Sequence, residues 1–201
     1  MRILVAARPE TIIKEVGVEM YNKHLGGFNA PTGYYDHSYC ETNGIAWGID
    51  NGAFTGFKPE RFLKLIVRYS LQAKHCKFVV LPDRVSDSRA TATLFDLWYP
   101  TIKATGLPIA LAAQDGLTIE NIDFDRIDAL FIGGSTEWKL GSEALHLITK
   151  AKTLGKWVHM GRVNGNKRLR YAKAIGCDSV DGSSYARFKS KLHKALEELE
   201  K

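Results

Sequence analysis

Three carboxylates and one carboxamide stand at the ends of short apolar runs in this chain. Asp50 follows IAWGI, Asp83 follows KFVVLP, Gln114 follows PIALAA, and Asp181 follows DSV. Two further runs end in glycine, at Gly133-Gly134 after ALFI and at Met160-Gly161 after WVH. An apolar strand that delivers a carboxylate into a glycine-containing turn is how a parallel α/β protein presents an acid or base at the carboxyl end of its sheet. A carboxylate accepts from an amidine-like N–H and NH₂ edge, while a glutamine and a backbone N–H donate to a carbonyl. Together these groups match the hydrogen-bonding edge of a guanine-like base, with Phe54 and Met160 placed to cover its two faces. The alternatives for single residues are ordinary. Asp50 and Asn51-Gly52 could be cap or turn chemistry, Gly133-Gly134 a plain turn, Met160 core, and Asp181 a cap. Asp87 and Asp115 are expected to be cap or turn groups, and Asp178 a strand-edge or capping residue.

These residues need a scaffold that brings many strand ends together. Buried-type strands are expected at Ile3 to Ala7, Ile45 to Asp50, Lys77 to Pro82, Pro108 to Ala113, Ala129 to Ile132, Trp157 to Met160 and Asp178 to Val180. Helices are expected from Glu10 to Leu25, Pro59 to Ala73, Ser86 or Asp87 to Ala104, Thr136 to Leu154 and Asn166 to Ile175, with an amphipathic helix closing the chain. The strict alternation predicts one α/β domain over residues 1–201 with parallel strands. No GxGxxG follows the first strand, so a compact TIM-like (β/α) barrel is preferred to a dinucleotide fold, with an open flavodoxin-like sheet as the alternative. Seven strands are visible. The eighth is missing or hidden in a long loop, Gly26 to Gly44, whose Phe28, Tyr34, Tyr35 and Tyr39 would suit a lid or a base-stacking surface, or equally could merely anchor the loop.

Bulk properties narrow the class. The chain has 201 residues, 45% hydrophobic and 25% charged, which is ordinary for a soluble globular protein. No run approaches the ~18 apolar residues of a membrane span, and the N-terminal MRILVAARPE lacks a signal-peptide h-region, so a cytoplasmic protein without a membrane partner is expected. Cys40, Cys76 and Cys177 are widely spaced, with no CxxC, so neither a zinc site nor a disulfide framework is expected. The net charge is +6. Its excess lies in the last quarter, where ten Lys/Arg face five acids between Val158 and Lys201. Such a basic quarter suits a phosphate-backbone footprint or a solvated basic face.

Six short segments, in order, resemble the tRNA-guanine transglycosylases and their relatives, the phage and bacterial 7-deazaguanine DNA transglycosylases. DNGAF (Asp50–Phe54) resembles the family's DSGGF/Y, and LPD (Leu81–Asp83) its base-recognising strand end. AAQDG (Ala112–Gly116) resembles its Gln-Gly segment, FIGGS (Phe131–Ser135) its IGGL/S, and HMGRV (His159–Val163) its MGVG. GCDSVDGSSYAR (Gly176–Arg187) resembles the segment that carries the nucleophile. The resemblance implies that Asp181 attacks the sugar C1′ and Asp50 handles proton transfers. It also implies that Asp83, Gln114 and the Gly133-Gly134 amides read the base, Phe54 and Met160-Gly161 enclose it, and Arg187 contacts nucleic-acid backbone. Arg162, Lys167, Arg168 and Arg170 are the basic rim that would join Arg187 on the nucleic acid.

The implied activity is exchange of guanine in DNA for a free 7-deazaguanine base such as preQ0 or a derivative, with no cofactor. The tRNA-acting members carry a CxCxxC…H zinc site that nothing here matches, which favours the DNA-acting relatives. Exchange on tRNA, N-glycoside hydrolysis and a non-catalytic purine- or nucleic-acid-binding module are the alternatives.

Overall fold

The computed structural model describes residues 1–33 and 35–201. Tyr34, one of the four loop aromatics, lies outside the described residues. Eight parallel strands close on one another in the order β1 to β8, and β8 returns to pair with β1. They are β1 (Arg2–Val5), β2 (Leu25–Asn29), β3 (Trp47–Ile49), β4 (Cys76–Val80), β5 (Ile109–Ala113), β6 (Ala129–Ile132), β7 (Trp157–Met160) and β8 (Ser179–Asp181). The fold is a TIM-like (β/α) barrel, not an open sheet.

Helices α1 (Pro9–Val16) and α2 (Val18–His24) lead from β1 to β2. Glycine at 17, with φ +87°, divides what reads in sequence as one helix from Glu10 to Leu25. Helix α3 (Ser38–Thr42) precedes β3, α4 (Pro59–Tyr69) precedes β4, and α5 (Ser88–Lys103) precedes β5. Two short 3₁₀ turns, Ile119–Asn121 and Phe124–Arg126, join β5 to β6. Helices α6 (Thr136–Lys139) and α7 (Ser142–Thr153) then lead to β7, again divided at a glycine, Gly141. Helix α8 (Asn166–Ala174) leads to β8, and α9 (Ser183–Arg187) and α10 (Lys189–Glu200) complete the chain.

The eighth strand is β2, at the start of the Gly26 to Gly44 stretch. It reads as loop because LGGFN carries two glycines, which weaken a strand taken alone. Here the neighbours demand them. A Cβ at Gly26 would collide with the Ala46 carbonyl, and one at Gly27 would lie 2.6 Å from the His37 ring.

Each strand divides its side chains between two cores, as the period of two requires. Ile3, Val5, Val79, Ile109, Leu111, Leu130, Ile132, Val158 and Met160 face outward into the layer beneath the helices. Leu4, Phe28, Phe78, Val80, Ala110, Ala112 and Ala129 fill the inside, with Phe131 and Trp157 against them. Small residues make room for large ones there: a Cβ at Gly48 would lie 2.5 Å from the Phe78 ring. The three cysteines are buried free thiols.

Candidate active site

The carboxyl ends of β3 to β8 meet in one cleft. It is lined by Asp50, Asn51, Ala53 and Phe54 after β3, Asp83 and Val85 after β4, and Gln114 after β5. Gly133 and Gly134 after β6, Arg162 after β7 and Asp181 at the end of β8 complete the ring, above Phe28 and Phe131. Nine expected site residues therefore share the cleft: Asp50, Phe54, Asp83, Gln114, Gly133, Gly134, Arg162, Asp181 and, from the loop aromatics, Phe28.

The three carboxylates are held differently. Asp181 Oδ1 accepts from His159 Nε2 at 3.1 Å and from the Arg162 backbone N–H at 3.0 Å. Both bonds fall on Oδ1, leaving Oδ2 without a partner among the described residues. Asp83 takes Asn51 Nδ2 at 2.7 Å on one oxygen and Gln114 Nε2 at 2.5 Å on the other. Burial still pushes Asp83 above the usual carboxylate range, against the lowering by those two donors. Asp50 is pushed furthest, to about 7, first by burial and then by the charges of Asp181 and Asp83. A carboxyl poised near neutrality beside another carboxylate is the arrangement of a general acid/base and its partner.

Gln114 stands behind Asp83. Its side chain is 2% exposed, and Oε1 accepts from the backbone N–H groups of Ser86 at 2.9 Å and Gly134 at 2.8 Å. In this state the Gly134 N–H is thus occupied by protein, and Gln114 ties three loops together. Asp115 does similar work next door, accepting from Ser135 N–H at 2.8 Å and Ser135 Oγ at 2.6 Å. Asp87 caps α5 by accepting from Ala90 N–H. Asp178 is a strut, bound by Lys152 Nζ at 2.7 Å and by the Val158 N–H at 2.8 Å.

Two expected site residues, Met160 and Gly161, are corrected. Met160 does not cover the cleft, because strand alternation turns it outward into the barrel–helix core. Gly161 is not in the lining either; a Cβ there would meet the Phe131 ring at 2.8 Å, and its carbonyl accepts from buried Lys139 Nζ at 2.8 Å. Arg170, on the exposed side of α8, pairs with Glu198 of α10 at 2.9 Å. Tyr35 and Tyr39 are outside the cleft lining and anchor the loop: Tyr35 O accepts from Tyr69 OH at 2.5 Å, and Tyr39 OH donates to Asn22 at 3.0 Å. Arg187, at the exposed end of α9, is outside the cleft lining, and Lys167 and Arg168 line a separate groove.

Two residues of the site were missed in sequence. Asn51 is fully buried, donating to Leu81 O at 2.6 Å as well as to Asp83, and accepting from Ala53 N–H at 2.7 Å. In sequence it reads only as half of an Asn-Gly turn. His159 points inward where Met160 had been expected to act. Its ring lies 5.5 Å from Phe28 and 4.9 Å from both Phe78 and Phe131, between centroids. Burial lowers its pKa, opposed by the bond to Asp181, and so favours the neutral ring. Trp157 Nε1 donates to Ser179 Oγ at 2.8 Å, and Ser179 Oγ is 2.8 Å from His159 Nδ1. With Nδ1 accepting from the hydroxyl, Nε2 carries the proton and donates it to Asp181.

Arg162 closes the cleft from above. It has φ +59°, a left-handed conformation that a side-chain-bearing residue adopts only under constraint. Its guanidinium lies 4.4 Å from the Phe54 ring centroid and donates through Nη2 to Gly134 O at 2.6 Å. The cleft beneath is about 60 Å³. The guanidinium occupies the face of Phe54 on which a base would stack, so a ring stacks there only if Arg162 withdraws.

Comparison with known proteins adds the fold and no more. No family model matches the chain, and no curated protein matches it. A solved structure described as native KDPGal is 15% identical, with TM-score 0.50, covering 100% of this chain and 95% of its own. A mandelate oxidase variant with a monooxide FMN adduct is 14% identical, with TM-score 0.56, covering 98% of this chain and 71% of its own. At such identities the likeness is one of barrel architecture.

Proposed function

We propose that this chain is a base-exchange transglycosylase that replaces guanine in DNA with a 7-deazaguanine, preQ0 or a derivative. The observation that carries the reading is the pairing of Asp50, held near neutrality, with Asp181, whose Oδ2 is open while Oδ1 is anchored by His159 and the Arg162 N–H. The ordered motif resemblance supplies the substrate class.

The chemistry balances without an external energy source. Asp181 Oδ2 donates an electron pair to C1′, the C1′–N9 bond breaks toward the base, and the protonated Asp50 supplies the leaving base with a proton. A glycosyl ester of Asp181 remains. Asp50, now ionised, takes a proton from the incoming base, whose nitrogen attacks C1′ and returns the ester electrons to Asp181. Two inversions retain configuration, as in retaining glycosidases. Asp83 accepts from the donor edge of the base, and Phe54 stacks on its face once Arg162 has moved. The target guanine must leave its stack to reach the cleft.

Nucleoside mass spectrometry after incubation with DNA and a panel of 7-deazaguanine bases tests this, with Asp181→Ala as control. A deazaguanosine in the DNA digest, absent with the variant, is expected. Modification of tRNA alone would move the chemistry to RNA, free guanine without incorporation would indicate hydrolysis, and ligand binding without turnover would indicate a binding module.

A further inference from the structure

Two basic grooves flank the cleft, and the barrel's topology sets them on opposite sides of its mouth. One, of about 670 Å³, lies between the Ala30–Gly33 turn after β2 and helix α4, and Arg61, Lys64 and Arg68 are its charged residues. The other, of about 610 Å³, is lined by Lys167, Arg168 and Tyr171 of α8 and by Leu140. Helix α4 follows β3 and α8 follows β7, four strands apart in a closed ring of eight, so the two helices are diametrically opposed. In a (β/α) barrel each helix begins at the mouth and runs back down. Arg61 is the third residue of α4, and Lys167 and Arg168 are the second and third of α8. All three are therefore at mouth level, and Lys64 is one turn below Arg61.

The placement works against local stability, since cations in a first turn oppose the helix macrodipole. Arg61 and Lys64 are exposed, and neither forms an ion pair among the described residues. The grooves are also joined to the cleft. A Cβ at Gly52, two residues after Asp50, would lie 3.3 Å from Pro31 of the first groove. Arg168 of the second donates to the Arg162 carbonyl at 3.2 Å.

We propose that a single-stranded DNA segment crosses the mouth from α4 to α8, its phosphates held by Arg61 and Lys64 on one side and by Lys167 and Arg168 on the other. The nucleotide in the middle then lies over Asp50 and Asp181. This rests on the reading of the substrate as DNA and adds its path, including a half of the footprint outside the basic C-terminal quarter. A single strand suits the geometry because the target base must be unstacked to enter.

The test is fluorescence anisotropy of a labelled single-stranded DNA oligonucleotide over a salt series. The proteins are the unaltered chain, R61E/K64E, K167E/R168E, and the charge-matched control K103E/K150E on exposed helix positions. Each phosphate contact contributes about 0.7 to the log–log salt slope for a single strand. Losing two contacts is thus expected to flatten the slope by about 1.4 in either groove variant, with K103E/K150E much less affected. A slope unchanged in R61E/K64E but flattened in K167E/R168E would overturn the α4 half of the path and leave the proposed reaction standing. Equal loss in all three variants would reduce the effect to net charge and overturn the path. No binding by the unaltered chain would also overturn it. Flattening in both groove variants without any base exchange would uphold the path and remove the reaction.

Discussion

Asp50 carries the most specific expectation at the level of single residues. Its carboxyl has a folded pKa of about 7 against an ordinary value of 3.8. Below about pH 4 the group is neutral whether the chain is folded or not. Between pH 4 and 7 the unfolded chain releases the proton and the folded one keeps it, so this group's contribution to stability falls as pH rises, and above 7 the loss is complete. Asp50→Asn should therefore match the parent near pH 4 and exceed it by about 4 kcal/mol at pH 8, the size of a rise from 3.8 to about 7, read from urea midpoints at the two pH values. It should also remove the ionisation near pH 7 from the rate profile of base exchange. Asn51→Ala should cost about 2–3 kcal/mol, because Asp83 and the Leu81 carbonyl both lose a donor in a buried place. The carboxylates were legible in sequence because each ends an apolar run before a turn. Asn51 and His159 were not. One was hidden by the commonness of Asn-Gly turns, the other by a parity error, since only the register of β7 decides whether His159 or Met160 faces inward.

At the scale of elements, glycine both hid and shaped the structure. Strand β2 escaped notice because two of its five residues are glycines, yet those glycines let β2 approach Ala46 and His37. Gly26→Val should destabilise the barrel by about 3 kcal/mol or more, as overpacking with no room to relax, measured as a lowered thermal midpoint. The helix divisions at Gly17 and Gly141 were likewise invisible to apolar periodicity, which continues through both. The loop from β7 to α8 carries Arg162 over the site. Arg162→Gly removes the guanidinium from Phe54 and suits the left-handed backbone, so titration calorimetry should show tighter binding of a free 7-deazaguanine base. Unchanged or weaker affinity would mean that Arg162 does not compete with the base.

Across the whole molecule, strand alternation and the absence of a dinucleotide fingerprint favoured a barrel over an open flavodoxin-like sheet, while its closure depended on the one strand that did not look like a strand. Closure is also what gathers the site. Asp50 and Asp181 are separated by more than half of the chain, and the ring of strands brings both to one cleft above an aromatic floor. Among the described residues no helix is long and apolar enough to cross a membrane. Within the basic C-terminal quarter Arg170 pairs with Glu198, while Lys167 and Arg168 face a groove at the mouth, opposite basic residues of α4 that charge counting in the last quarter could not reveal.

The central claim is a covalent glycosyl–Asp181 intermediate, and trapping it is the most direct test. The protein would be mixed with a guanine-containing single-stranded DNA oligonucleotide, denatured, and resolved by gel and by intact mass. The account predicts a protein–DNA adduct of combined mass less one guanine, absent in Asp181→Asn and discharged when a 7-deazaguanine base is added. Base exchange that persists in Asp181→Asn, with no adduct from the unaltered protein, would contradict it.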